Sequence, residues 1–161
     1  MAGPDLPPLP TPAPVQQVQH MLTVPTSGKS FIDITQDVRA WLVGERAGSG
    51  IVTIFIRHTS ASLTIQENAD PAVQADLTDA LDAIAPEDAA YRHASEGPDD
   101  MPAHIKSMVT STSLGIPLYE GRLALGKWQG IYLIEHRQAP HRRDVALHFL
   151  GTVLNPTDDK P

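Results

Sequence analysis

The chain reads as short apolar runs separated by glycine, proline and charged residues. Val15 to Pro25 predicts an edge-type strand, ended by a turn at Ser27-Gly28. Phe31, Ile32 and Ile34 predict a second short strand running up to Thr35. Thr35 is placed as the N-cap of a helix with Val38, Trp41 and Leu42 on one face, stopped by Gly44 and Gly48-Ser49-Gly50. Ile51 to Arg57 is apolar at nearly every position, which predicts a central strand buried on both faces. Ser62 to Gln66 predicts the next strand. Asp70 then caps a helix that begins with Pro71, and Val73, Leu77, Leu81 and Ile84 recur at helical spacing until Pro86 closes it.

Between Tyr91 and Lys106 the apolar pattern lapses. His93 and His104 flank an acidic turn of Glu96, Asp99 and Asp100, broken by Gly97, Pro98 and Pro102. Ala103 to Val109 predicts one or two helical turns, and Leu114 to Leu118 a strand in which Pro117 marks an edge or bulge. After Gly121 and a short run from Leu123 to Leu125, Gly130 to His136 predicts another strand. Its alternation sets Tyr132, Ile134 and His136 on one face, and Ile131, Leu133 and Glu135 on the other. Val145 to Leu150 is the last predicted strand. Two or three helices among about seven strands predict a single α+β domain with a mixed β-sheet over residues 15–153. A Pro-rich, disordered tail (1–14) and a polar C-terminal tail (154–161) flank it.

Composition narrows the chemistry. A formal net charge of -7, without a long basic run, argues against a nucleic-acid surface. With no cysteine, a metal would have to be held by imidazole or carboxylate, and the absence fits a cytoplasmic protein. No apolar run approaches the roughly 20 residues that span a bilayer, and no signal-peptide pattern opens the chain.

Three polar clusters fall where predicted strands end. One is His58 with Thr59, Ser60 and Ser62, followed by Glu67, Asn68 and Asp70; the second is the segment from His93 to His104; the third is Glu135-His136-Arg137. Three imidazoles and a water form an open coordination set for zinc, whereas the carboxylates could hold a harder cation through oxygen. No Gly-x-Ser-x-Gly elbow surrounds the serines, whose hydroxyls suit capping a turn or gripping a phosphate. His20, His141 and His148 read as surface or hydrogen-bonded residues.

Together, HTSASLTIQENADP, YRHASEGPDDMPAHIKS and SLGIPLYEGRLALGKWQGIYLIEHR resemble the YjbQ family, also called the secondary thiamine-phosphate synthase family. The family signature of Ser, spaced aliphatics, Gly and Gly-Thr-Trp-Gln matches Ser113, Ile116, Leu118, Gly121, Gly126, Trp128, Gln129 and Ile131, with Lys127 in place of Thr. The resemblance covers Gln19 to Thr152. It implies an α+β fold assembled as a homotrimer through its sheets, with a histidine-rich metal site. On this chain the implied ligands are His93, His104 and His136, holding zinc or, alternatively, magnesium. His58, Glu67, Asp70 and Lys106 are the implied catalytic neighbours, and Ser60, Asn68, Arg137 and Arg143 the implied substrate contacts. The implied activity joins a pyrimidine pyrophosphate to a thiazole phosphate, and the resemblance implies it as a side reaction. That chemistry needs positive charge on the departing pyrophosphate, from a metal or from Lys106, Arg137, Arg142 and Arg143. A trimeric metal-binding scaffold without turnover and a metal-dependent phosphate hydrolase are the alternatives.

Overall fold

The computed structural model describes residues 14–154, so both predicted tails lie, but for Pro14 and Leu154, outside the described residues. The elements run β1 (Gln16–Pro25), β2 (Ser30–Asp33), α1 (Thr35–Gly44), β3 (Ala47–Ile56), β4 (Ala61–Glu67), α2 (Pro71–Ile84) and α3 (Asp100–Val109). They continue as β5 (Ser113–Tyr119), β6 (Arg122–Leu123), β7 (Gln129–Glu135) and β8 (Arg142–Val153).

Alternation along the strands builds the core. Val52, Ile54 and Ile56 of β3 and Val145, Leu147 and Phe149 of β8 are all buried in one cluster with Leu63 of β4, Ile131 and Leu133 of β7, and Val38 and Leu42 of α1. The α+β class expected from the pattern is the class observed. Its sheet is divided rather than mixed: β1-β8-β3-β5-β6 form one sheet and β2-β7-β4 another. Every strand pair is antiparallel. The two helices after β4 lead into β5, which joins the other sheet, so no βαβ crossover arises to demand a parallel pair.

Local departures from the expected elements have clear causes. Gly48, Ser49 and Gly50 lie within β3, not in a loop. A register shift separates Ala47 from Gly50 there, and a Cβ on Gly50 would run into the Leu150 carbonyl, so glycine permits the close crossing with β8. Thr35 is the first residue of α1 rather than its cap: its hydroxyl accepts the Ile131 N–H at 2.8 Å, and its own N–H goes to Asp33. β3 is central in its sheet, yet Ile51 and Phe55 on its outer face are 43% and 45% exposed. Among the described residues, no helix packs on that face. The face Leu81 presents, by contrast, helps enclose a small space of about 10 Å³ with Ile134 and His136.

The β4–β7 ladder sets the frame for the site. Ala61 pairs with Glu135 at one end and Glu67 with Gln129 at the other. Seven residues at about 3.3 Å each separate the two ends by roughly 20 Å. From the far end α2 runs back for 14 residues, about 21 Å, and delivers the chain to the segment that carries His93.

Candidate functional site

At the near end, α3 begins with Asp100, and His104 lies one turn on. Positions i and i+4 share a helix face, so both side chains point the same way. His93, from the preceding loop, closes on them. Its Nε2 is 2.8 Å from Asp100 Oδ2, and His104 Nε2 is 3.4 Å from the same oxygen. The two rings lie 5.6 Å apart between centroids. One atom from each of His93, Asp100 and His104 falls within 4.8 Å of the others.

The surroundings fix this cluster. His104 Nδ1 bonds the Thr59 carbonyl at 2.9 Å, so Nδ1 carries a hydrogen and Nε2 is left facing Asp100. The other oxygen of Asp100 accepts from Arg137 Nη1. Arg137 also donates to Asp99 Oδ2 at 3.0 Å and to the Glu96 carbonyl at 2.9 Å. Burial alone would raise the Asp99 carboxyl, but the Gln138 N–H and the Arg137 guanidinium hold it below the usual range. Asp100 is buried, His104 half-buried and His93 exposed, so one side of the cluster opens to solvent.

These residues fit a divalent cation on the chemistry of their donors. In a neutral His104 ring, Nε2 presents a lone pair to a carboxylate oxygen that can also only accept. A cation between them satisfies both, and two imidazoles with one carboxylate leave coordination positions open. The hydrogen bond at Nδ1 is the outer contact that orients a ligating imidazole.

His136 lies elsewhere. It follows β7 directly, and its Nε2 meets the buried Ser62 hydroxyl at 2.8 Å. It lines a small, partly open space with Lys106, Asp82 and Lys29. Lys106 is two residues beyond His104, about 200° around the helix, and therefore looks inward when His104 looks outward. Its side chain is 2% exposed and its ammonium pairs with Asp82, which Lys29 also contacts at 3.1 Å. Burial, then the Lys106 charge, lowers the His136 pKa to about 4, so the ring is neutral at physiological pH.

Arg143 is likewise engaged. It donates to Glu135 through Nε at 2.7 Å and Nη2 at 2.6 Å, and to the Ser60 hydroxyl at 3.1 Å, and is 4% exposed. Glu135 also accepts from Thr26 at 2.8 Å; against the effect of burial, Arg143 leads the contacts that hold its carboxyl low. His58 accepts the Asp144 N–H on Nε2 at 2.7 Å, and burial followed by Arg143 lowers its pKa. Among the expected substrate contacts, Arg137 and Arg143 thus serve carboxylates, because the buried acids Asp100 and Glu135 need partners.

Glu67, Asn68 and Asp70 are at the other end of β4. The Asp70 carboxylate accepts the Ala72 N–H at 2.9 Å as the α2 cap, and Asn68 N–H bonds the Trp128 carbonyl at 3.0 Å. Lys127 Nζ sits 4.5 Å over the Trp128 ring there. The structure therefore gathers His93 and His104, adds Asp100 and the Thr59 carbonyl, and leaves Glu67, Asn68 and Asp70 about 20 Å away within one chain. Asp100 was visible in the sequence as an Asp-x-x-x-His spacing at the start of a helix.

A two-sheet α+β protein with a histidine–aspartate cluster at one end of its shorter sheet is the class that this geometry defines. Residues 20–152 match the family model described as UPF0047 protein YjbQ-like, and the chain belongs to that family. A UPF0047 protein of Synechocystis sp. is 49% identical over 142 residues, 88% of this chain and 97% of that protein. The UPF0047 protein YjbQ of Salmonella typhimurium is 45% identical over 74% of this chain and 87% of its own length. Among solved structures, a YjbQ/UPF0047 family protein from Clostridium acetobutylicum superposes with a TM-score of 0.73 at 36% identity, covering 82% of this chain and 98% of that one.

Proposed function

We propose that this chain is a metal-binding cytoplasmic enzyme acting on a phosphorylated small molecule, with thiamine-phosphate synthase activity as at least a minor reaction. His93, Asp100 and His104 would hold the ion, with zinc the first choice for a set rich in imidazole. The observation that carries the reading is the shared Asp100 oxygen: two imidazole nitrogens converge on it while His104 Nδ1 is tied to Thr59. The ion, when bound, supplies positive charge to a departing pyrophosphate. The chain's own part is to orient: Arg137 fixes Asp100, and Thr59 fixes the His104 ring. Lys106, Arg137 and Arg143 spend their charges on buried carboxylates or on Asp82, which throws the neutralisation of substrate onto the ion and other groups. A homotrimer, assembled through its sheets, is part of the same proposal.

Zinc titration by calorimetry and an assay for thiamine phosphate from the two phosphorylated halves test it together. We expect one zinc per chain and product above the level of a His104→Ala control. Zinc binding without product would leave the metal-binding scaffold in place of the enzyme.

A further inference from the structure

The phosphate-binding cation has to come from somewhere other than Lys106, Arg137 and Arg143. Arg142 is exposed at the start of β8 but does not line the groove at the end of β3, whereas Arg57 does. We infer that the open groove of about 470 Å³ at the end of β3 seats the phosphorylated substrate, with Arg57 as the phosphate anchor and Phe55 as the platform for its ring. This rests on the phosphorylated substrate of the reading above and names the part of the chain that would recognise it.

The groove is lined by Phe55, Arg57, His58, Thr59, Ser60 and Thr112, among others. Three observations favour it. Arg57 is exposed and, among the described residues, its guanidinium has neither an ion pair nor a hydrogen bond; its backbone N–H alone is used, donating to the Asp144 carbonyl at 3.1 Å. That bond continues the β3–β8 ladder past Ile56, so Phe55 and Arg57 stay on one face, two residues or about 7 Å apart. A ring stacked on Phe55 would hold its phosphate within reach of the flexible Arg57 side chain, and a guanidinium suits a phosphate by its forked donors. Phe55 is 45% exposed, an aromatic face with no partner of its own in the protein core.

The third observation is continuity with the metal cluster. Thr59 lines the groove, and its carbonyl is the group that holds His104 Nδ1. A ligand anchored at Arg57 therefore lies against the loop that positions one of the two imidazoles. Arg92 is also exposed and adjoins His93 in sequence, but it does not line this groove, which makes it the natural control.

The experiment is calorimetric titration of inorganic pyrophosphate, and separately of phenyl phosphate, into the chelator-treated full chain at low ionic strength. Arg57→Ala should weaken pyrophosphate at least about tenfold, with Arg57→Lys in between and Arg92→Ala within about twofold of wild type. Phe55→Ala should weaken phenyl phosphate several-fold and leave pyrophosphate unchanged. Thermal melts of each variant identify any loss of folding, and the Lys variant carries the test if Ala disturbs it. Equal binding by wild type and Arg57→Ala, a loss confined to Arg92→Ala, or no binding by wild type overturns the proposal. Zinc affinity is measured on the same proteins: Arg57→Ala should keep it. Zinc binding with Arg57-independent pyrophosphate would sink the groove alone, whereas Arg57-dependent pyrophosphate without zinc binding would sink the metal site alone.

Discussion

Asp100 and Glu135 are the two carboxylates whose surroundings decide most at the scale of the residue. Asp100 collects His93, His104 and Arg137, and its replacement by Asn keeps the shape while removing the charge that a cation needs. Asp100→Asn should lower zinc affinity at least about tenfold by calorimetry, with the fold retained by circular dichroism. Glu135 is 1% exposed and holds Arg143 and Thr26. Glu135→Ala leaves a buried guanidinium without its partner and should cost about 3–5 kcal/mol in urea denaturation. His136 adds a pH dependence. The unfolded ring takes up a proton below the ordinary 6.5, but the native ring, lowered to about 4, refuses it. Its contribution is complete above pH 6.5 and shrinks as pH falls toward 4, by roughly 3 kcal/mol in all. His58, also lowered, acts in the same direction. A His136→Gln variant should show a flatter loss of urea stability across this interval; an unchanged slope would contradict the buried neutral ring.

Elements were legible where one period runs unbroken, even in α2, which buries no residue fully and leaves Ile84 58% exposed. The α2 pattern, with Asp70 as cap and Pro71 first, is read directly from the sequence because capping is local chemistry. Asp70→Ala should cost about 1 kcal/mol, measured by thermal melting, with zinc binding untouched, since the residue stands at the far end of β4. The alternation of β7 was equally legible: Glu135 turns toward Arg143 and His136 toward Ser62. What the pattern hid was which helix face each of His104 and Lys106 takes. They are nearly adjacent in sequence but face opposite ways, so His136 meets Lys106 rather than the His93 cluster. Strand length hid the rest. Glu67 and Asp70 follow closely on His58 in the chain, yet an extended β4 carries them some 20 Å away. The run of glycines in β3 reads as a loop until the close crossing with β8 is seen.

For the molecule as a whole, the unfinished surface is the outer face of the five-stranded sheet. Met21, Ile51, Phe55, Tyr119 and Leu150 are exposed on its strands, where the sequence predicted burial for β3 on both sides. Trimer assembly through the sheets is a proposal that sedimentation velocity decides: the expected mass is three times the 17.4 kDa chain, and a single monomeric species would contradict it. The family assignment concerns nearly the same residues as the resemblance read from three sequence blocks, 20–152 against 19–152. Family and fold were thus legible in the sequence, while the partner of each charged side chain depended on strand register and helix phase.

The proposed chemistry turns on a cation shared by His93, Asp100 and His104. Crystals grown with zinc and measured at the zinc edge test it most directly. We expect an anomalous peak about 2.0–2.2 Å from Nε2 of His93, Nε2 of His104 and Oδ2 of Asp100, with at least one coordination position open toward solvent. A zinc peak on other residues, or none at full zinc loading, would contradict it.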